Sequence, residues 1–265
     1  MVDKNMTNDD YRQHPAVSRS DLWKMKQSPA HYKYVKENPT PKTPALVFGG
    51  ASHKYILERD DFESEYAVAP ELNRRTKEGK EKWAEFEAQN EGKEIIKAED
   101  FDVIKDMAAA IDENEVAKAL LTGEHEVSYF WTDADTNEEC KVRPDCLSEW
   151  EGKKYIVDYK TTDSCEDGHF EHSCRKYGYK FQAGMYREGV FQNEMEEYGF
   201  AFVAQEKKPP YAVRVYICTD EFINQGLDLF RIYLGMYHDC KENDSWYGYE
   251  GKYNNVTQLL GDDYE

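Results

Sequence analysis

Asp145, Asp158 and Lys160 have the types and spacing of residues that hold a metal ion and act on a phosphate group. Residues two apart in a strand point to the same face, so Asp158 and Lys160 should project together from the run at 155–160. Asp145 follows Pro144 at hairpin distance and comes close if the two strands are neighbours. Paired carboxylates suit Mg²⁺ or Mn²⁺. A nearby lysine can place the attacking water and offset the charge that develops on phosphorus.

The Asp-x-Lys triplet has a simpler interpretation, because such triplets are common as ion pairs at strand ends. Three features favour the catalytic interpretation. Asp158 ends an apolar run, where a buried charge needs a partner. A Pro-Asp pair precedes it, and Thr161 and Thr162 follow it with hydroxyl groups at the strand end.

The elements that must position these residues are predicted from hydrophobic periodicity, which indicates an α/β fold with a central mixed β-sheet flanked by helices. Runs of period two predict strands at 66–69, 125–131, 140–147, 152–160, 199–205 and 212–218. Helices are expected at 18–25, 29–35, 45–57, 98–121, 169–190 and 221–240. The 265 residues fit one domain over 18–245, with a loose N-terminal segment at 1–17 and an acidic C-terminal tail at 246–265.

Composition limits the classes of protein and partner. The net charge is −19, from 53 acidic and 34 basic residues. This charge opposes nucleic-acid binding unless basic groups are concentrated in one channel or carboxylates act through bound cations. The six cysteines include no Cys-x-x-Cys pair, so a zinc ribbon is not expected. The sequence shows no secretory segment and no apolar run of membrane-spanning length, which predicts a cytoplasmic protein with reduced thiols and no membrane partner.

Several blocks of the sequence resemble the PD-(D/E)XK nuclease superfamily and, within it, the RecE (exodeoxyribonuclease VIII) branch, which is lambda-exonuclease-like. Together with RPD and IVDYKTT, the blocks are SRSDLWKMKQSPAHY, FGGASHKYILE, YAVAPELNRRTKEGKE, YKFQAGMY and FAFVAQ. The resemblance implies a restriction-endonuclease-like fold and an Mg²⁺-dependent exonuclease that degrades the 5′-ended strand from the ends of linear double-stranded DNA. It also implies a 3′ overhang for a single-strand annealing protein in phage recombination, and a ring-shaped homo-oligomer, with a tetramer favoured.

In the resembled family a metal-binding residue lies on the helix before the sheet, and the matching position is His53, where lambda-type exonucleases carry glutamate. The resemblance therefore adds His53 to Asp145 and Asp158 as metal ligands, with the backbone carbonyl of Tyr159 as a further one. Lys160 acts beside them. By residue type alone, a histidine on a buried helix is more often a core residue than a ligand.

Other residues are secondary candidates. Glu126 could add a carboxylate at the start of the first hairpin strand, or it could be an exposed strand-end residue. Tyr179, Gln182 and Tyr186 form a helical stripe, which is typical of a core; the resemblance implies that they line the active site. A basic run is expected either to contact DNA phosphates or to form a solvated face: Arg74, Arg75, Lys77 and Lys80. Some related nucleases hold an iron–sulfur cluster through four cysteines, but the spacing here matches no such run, so no cluster is expected.

Two other functions remain open. The first is a PD-(D/E)XK endonuclease in defence or restriction, which would nick covalently closed circular DNA. The second is a non-catalytic acidic protein that mimics DNA or acts as a binding module, as the charge of −19 allows. A DNA mimic would not need a histidine, an Asp and an Asp-x-Lys triplet in the order in which the nucleases carry them along the chain. Metal-dependent digestion of linear DNA separates it from either nuclease.

Overall fold

The strands divide among three sheets in the computed structural model, which describes residues 1–250. Within this range the strands are β1 Val2–Asp3, β2 Val17–Ser18, β3 Tyr66–Val68, β4 Glu94–Ile96, β5 Glu124–His125, β6 Ser128–Thr132, β7 Glu139–Val142, β8 Cys146–Trp150, β9 Lys153–Thr162, β10 Gly199–Glu206 and β11 Val213–Ile217. The α-helices are α1 Asn8–Gln13, α2 Arg19–Met25, α3 Pro29–Glu37, α4 Pro44–Leu57, α5 Phe62–Glu65, α6 Lys77–Gln89, α7 Ala98–Glu113, α8 Glu115–Leu120, α9 Asp167–Tyr177, α10 Tyr179–Glu194 and α11 Asp220–Glu242.

The five-stranded sheet is the centre of the molecule, with the order β11-β10-β9-β8-β5. Strands β9 and β10 are parallel, and the other neighbouring pairs are antiparallel, so the sheet is mixed. A four-stranded sheet has the order β1-β6-β7-β2, and β3 pairs with β4. The prediction of an α/β fold with a mixed sheet between helices is confirmed.

Strand β9 separates two hydrophobic clusters because its side chains alternate between the faces of the sheet. Ile156 packs with the aromatic residues of β10 and α10 on one face. Val157 and Tyr159 pack with α7 and α8 on the other face. Asp158 follows Ile156 on the α10 side, where it is only 1% exposed. A carboxylate at this depth requires compensating partners.

The predicted hairpin is interrupted on both strands, and this is the main difference between the prediction and the structure. The run at 125–131 changes sheet at Glu126, which has a φ of 54°, so β5 and β6 belong to different sheets. The return run changes sheet between Val142 and Cys146, where Pro144 lacks an N–H for the ladder. The Glu126 N–H donates to the Asp145 carbonyl at 3.3 Å, so the two breaks are adjacent.

Two predicted helices are each divided in two. The run at 98–121 breaks at Asn114, whose side chain caps α8 by accepting the Ala117 N–H. The run at 169–190 breaks at Gly178, which has a φ of 71° and ends α9. Among the residues that the structure describes, no helix is both long and apolar enough to cross a membrane.

The N-terminal segment, 1–17, contains regular secondary structure where the sequence predicts a loose segment. Strand β1 pairs with β6, and α1 lies against the four-stranded sheet. The Lys141 ammonium donates to the carbonyls of Tyr11 (2.5 Å) and His14 (2.7 Å), which accounts for the order of this segment. At the other end, Trp246 stacks on Tyr32 with 5.4 Å between ring centroids. The rest of the predicted tail, 251–265, lies outside the described residues.

Helices α10 and α11 cross at two glycines, and this contact packs the two helix backbones together. A Cβ on Gly226 would lie 1.9 Å from the Lys180 carbonyl oxygen, and a Cβ on Gly184 would lie 2.1 Å from the Leu227 amide nitrogen. The two backbones therefore approach to a distance that only glycine allows.

Replacing Gly226 by alanine is expected to destabilise the protein by about 1–3 kcal/mol or more, because the added methyl group forces the helices apart. Gly235→Ala on the same helix is the matched control, since a Cβ there meets nothing within 4 Å. That change should instead stabilise by about 0.5–1 kcal/mol through helix propensity. Urea unfolding measures both values, and equal effects of the two substitutions would contradict the tight crossing.

Candidate active site

The two sheet breaks bring Glu126 and Asp145 to the same place, beside helix α4. His53 on α4 lies between them: its Nε2 is 2.7 Å from Asp145 Oδ2, and its Nδ1 is 3.5 Å from Glu126 Oε1. Within residues 1–250, these three side chains form the group of histidine and carboxylate ligand atoms close enough to share one ion, all within 4.8 Å of one another. The predicted ligands His53 and Asp145 therefore do meet, and Glu126 joins them.

Asp158 and Lys160 adjoin this group from strand β9. Extension of the β8–β9 register by one residue places Asp145 opposite Asp158. The Tyr159 N–H donates to Asp145 Oδ2 at 2.8 Å. The N–H and C=O of a strand residue face the same neighbouring strand, so the Tyr159 carbonyl faces this side too. The Lys160 ammonium contacts Asp158 Oδ2, so the two side chains project together as expected.

Helix α10 supports Asp158 from above the sheet. The Gln182 side-chain amide donates to Asp158 Oδ1. Tyr179 lies beneath Lys160, with 5.1 Å from the ammonium to the ring centroid. Tyr186 is half-buried one turn after Gln182; burial first, and then the charges of Tyr11 and of both aspartates, raise its pKa well above the usual value. Gln182 and Tyr179 thus contact Asp158 and Lys160, whereas Tyr186 packs against Phe200.

Mutual repulsion and burial perturb the ionisation of the acidic groups. Burial, followed by the charge of Asp145, raises the pKa of Asp158 to about 6. Burial also raises the pKa of Glu126 to about 7. Burial alone would raise the pKa of Asp145, but the charges of His53 and Lys160 outweigh it and lower that pKa. Burial therefore outweighs the nearby cations at Asp158 and Glu126, but not at Asp145.

His53 supplies positive charge that partly balances the neighbouring carboxylates. Burial lowers its pKa, but the neighbouring Asp145 carboxylate outweighs this effect, and the pKa is raised to about 9. The His53 imidazolium lies between two carboxylates, and a divalent cation bound to them would supply positive charge in the same way.

The donor set fits a divalent metal. Asp158 Oδ2 is buried and, among the described residues, accepts no hydrogen bond of ordinary geometry, although Lys160 lies beside it. Carboxylates suit Mg²⁺ and Mn²⁺, and the imidazole adds a nitrogen donor that borderline transition ions accept more readily than Mg²⁺ does. The residues that would hold the ion are His53, Glu126 and Asp145, with Asp158 beside them.

Arg143 forms an ion pair with Glu126, a role that the sequence did not reveal. Its Nε lies 2.8 Å from Glu126 Oε2, and both side chains are nearly buried. Its terminal nitrogens donate to the carbonyls of Met6 (2.9 Å) and Thr7 (3.2 Å). The N-terminal segment therefore holds Arg143, which in turn holds a carboxylate of the candidate metal centre.

Arg143→Gln is expected to weaken divalent-metal binding by about 10- to 100-fold, because Glu126 loses the partner that orients it. The same change should expose the chain near Met6 and Thr7 to proteolysis. Isothermal titration with Mn²⁺ and limited proteolysis measure the two effects. Arg214→Gln is the control, since Arg214 is exposed and paired with Asp167 at 2.9 Å. Unchanged metal affinity in Arg143→Gln would show that Arg143 does not position Glu126.

The predicted DNA-binding run lies apart from these contacts. All four of its basic residues are exposed, in the loop before α6 and in its first turn. The Arg74 guanidinium stacks over Trp83 at 3.9 Å, and Lys77 lies 3.8 Å from Glu81. No hydrogen bond or ion pair of the described residues joins Arg74, Arg75, Lys77 or Lys80 to the candidate metal centre. Their contact with DNA stays a prediction.

A model of one protein family matches residues 18–258, and its description is "PDDEXK-like domain of unknown function (DUF3799)". The match covers most of the chain and includes every residue of the candidate metal centre. The chain belongs to this family. The PDDEXK-like fold of the family agrees with the mixed sheet, and with Asp145 immediately before β8 and Asp158 and Lys160 on the neighbouring strand β9.

One solved structure shares the fold of this chain. A "Putative exonuclease" from Eubacterium rectale is similar over 97% of this chain and 96% of its own, with a TM-score of 0.64 and 18% sequence identity. The structure of SSO0001 is similar over 49% of this chain and 60% of its own, at 15% identity and a TM-score of 0.29. Curated proteins give no match. At this level of identity, the similarity to the Eubacterium rectale protein shows a shared fold alone.

Proposed function

We propose that this protein is an Mg²⁺- or Mn²⁺-dependent exodeoxyribonuclease that degrades linear double-stranded DNA in the 5′-to-3′ direction. The observation that carries the proposal is the convergence of His53, Glu126 and Asp145 next to the Asp158–Lys160 pair. Paired carboxylates, a metal and an adjacent lysine suit hydrolysis of a phosphodiester. The description of the Eubacterium rectale protein as an exonuclease supports the same reaction class.

The finer parts of the proposal rest on the resemblance to the RecE branch. They are the polarity, the 3′ overhang passed to a single-strand annealing protein, the ring-shaped homo-oligomer and the role in phage or prophage recombination. A cytoplasmic location belongs to the same proposal. The polarity, overhang, oligomer and recombination role are implied by the sequence blocks quoted above, which lie between Ser18 and Gln205. The cytoplasmic location rests on the expectation of reduced thiols.

The chain's own residues have distinct tasks in this reaction. A bound divalent ion would supply a water of lowered pKa and a Lewis acid for the phosphate. Lys160 places its ammonium beside Asp158, where it can orient the water and stabilise the charge that develops on phosphorus. Gln182 holds Asp158 and the Tyr159 N–H holds Asp145, so the carboxylates keep their positions without rearrangement.

Digestion of end-labelled linear duplex DNA with and without Mg²⁺ tests the proposal. We expect the strand labelled at its 5′ end to lose its label first, and EDTA to stop the reaction. Covalently closed circular DNA should stay intact. Nicking of the circle would favour the endonuclease, and absence of any metal-dependent cleavage would leave the acidic binding protein as the better explanation.

A further inference from the structure

Aromatic rings and cations alternate on the surface that leads away from Lys160. Tyr179, beneath the Lys160 ammonium, stacks on Tyr177 with 5.9 Å between ring centroids and 29° between ring planes. The Lys176 ammonium lies 5.1 Å from the Tyr177 centroid. Tyr177 is 47% exposed, so one side of this stack is open to solvent.

Helix α2 continues the pattern. The Arg19 guanidinium donates to the carbonyl oxygens of Tyr177 and Gly178, where it completes the C-terminus of α9. Lys26 lies over the Trp23 ring at 4.4 Å. Trp23 packs so closely on Gly178 that a Cβ there would come within 2.6 Å of the indole. Helix α2 and the α9–α10 junction therefore form one rigid surface, here called the aromatic–basic surface: Arg19, Trp23, Lys26, Lys176 and Tyr177.

Three cations of this surface lack a carboxylate partner in the described part of the chain. Within the described residues, Arg19, Lys26 and Lys176 have no carboxylate within 4.0 Å, whereas many other lysines and arginines are paired. Burial lowers the pKa of Arg19, and the charge of Asp158 is among the nearby groups that act against this shift. The unpaired cations thus begin near the candidate metal centre and extend outward from it.

We infer that the aromatic–basic surface binds the single-stranded part of a DNA substrate next to the scissile phosphate. This inference rests on the proposed function. The exposed ring of Tyr177 can stack on an unpaired base, and the neighbouring cations can follow the phosphates. A fully paired duplex offers no free base faces along its length for such stacking. The surface also locates positive potential where a chain of net charge −19 needs it to bind DNA.

Binding of fluorescein-labelled oligothymidylate in EDTA tests the inference without cleavage. Loss of one stacked base predicts that Tyr177→Ala weakens binding about tenfold, whereas Tyr177→Phe keeps the aromatic ring and retains affinity. Lys176→Gln should reduce the slope of log affinity against log salt by about 0.7, the value for one single-strand phosphate contact. Tyr34→Ala is the matched control, because Tyr34 is 67% exposed on α3 and should leave binding unchanged.

The outcomes separate this inference from the proposed function. Wild-type affinity in Tyr177→Ala, equal loss in Tyr34→Ala, or no binding by the wild-type protein at low salt would overturn the inference, even if linear DNA is cleaved. Tyr177-dependent binding without any metal-dependent cleavage would uphold the surface and reject the nuclease. Thermal unfolding of each variant shows whether a loss of binding reflects a loss of fold.

Discussion

Replacement of Lys160 by methionine is expected to slow DNA cleavage by about 100- to 1000-fold, the effect of removing one preorganised charge from a transition state. Methionine keeps the length of the side chain and removes the ammonium beside Asp158. Single-turnover cleavage of labelled linear duplex measures the rate. Metal binding, measured separately by titration, should persist because Lys160 is not among the ligands.

Lys154→Met is the matched control for this substitution. Lys154 is on the same strand, β9, but its side chain is 41% exposed and paired with Glu196 at 2.5 Å. A surface pair of this kind contributes little to stability. Cleavage by Lys154→Met should equal the wild-type rate. If Lys160→Met also cleaved at that rate, the proposed role of the lysine would be rejected.

Asp145→Asn should abolish cleavage and weaken metal binding by more than the roughly 10- to 100-fold that loss of a supporting partner costs. Asp145 contacts His53 Nε2 directly and belongs to the group of three ligand residues. Asparagine is nearly isosteric and can still accept the Tyr159 N–H, so the fold should survive. Isothermal titration with Mn²⁺ measures the affinity, and circular dichroism checks the fold.

Asp135→Asn serves as the control for charge alone. Asp135 is exposed in the β6–β7 turn, and its substitution changes the net charge by the same amount. It should bind metal and cleave DNA as the wild type does. Metal affinity that falls equally in both variants would point to a general electrostatic effect and not to a ligand at Asp145.

The part of the site on one strand could be predicted because it depends on local geometry. The period of two places Asp158 and Lys160 on one face, and the apolar run before them predicts the buried strand β9. The approach of Asp145 needed one further assumption, that β8 and β9 are neighbours, and the register confirms it. The helix with His53 was also clear, because Pro44 and the apolar run mark its extent.

The rest of the site depends on where the chain leaves a sheet, which no local pattern encodes. Glu126 has a positive φ without being glycine, so nothing in its sequence indicated the break between β5 and β6. The role of Arg143 required the positions of Met6 and Thr7, more than a hundred residues away in sequence. The N-terminal segment looked polar and loose for the same reason, since its partners are all distant.

The change of sheet at Glu126 and at Asp145 has a consequence for how the molecule behaves as metal concentration changes. These carboxylates lie where the chain passes from the four-stranded to the five-stranded sheet, and His53 belongs to a separate helix. An ion shared by them would cross-link the two sheets and helix α4. At a free metal concentration of 100 times Kd, its binding would add about 2.7 kcal/mol to the free energy of unfolding. Amide protons around this junction should then exchange with deuterium more slowly in Mn²⁺ than in EDTA. Scarcity of metal would therefore make local unfolding of this junction more frequent, in addition to lowering the proposed activity.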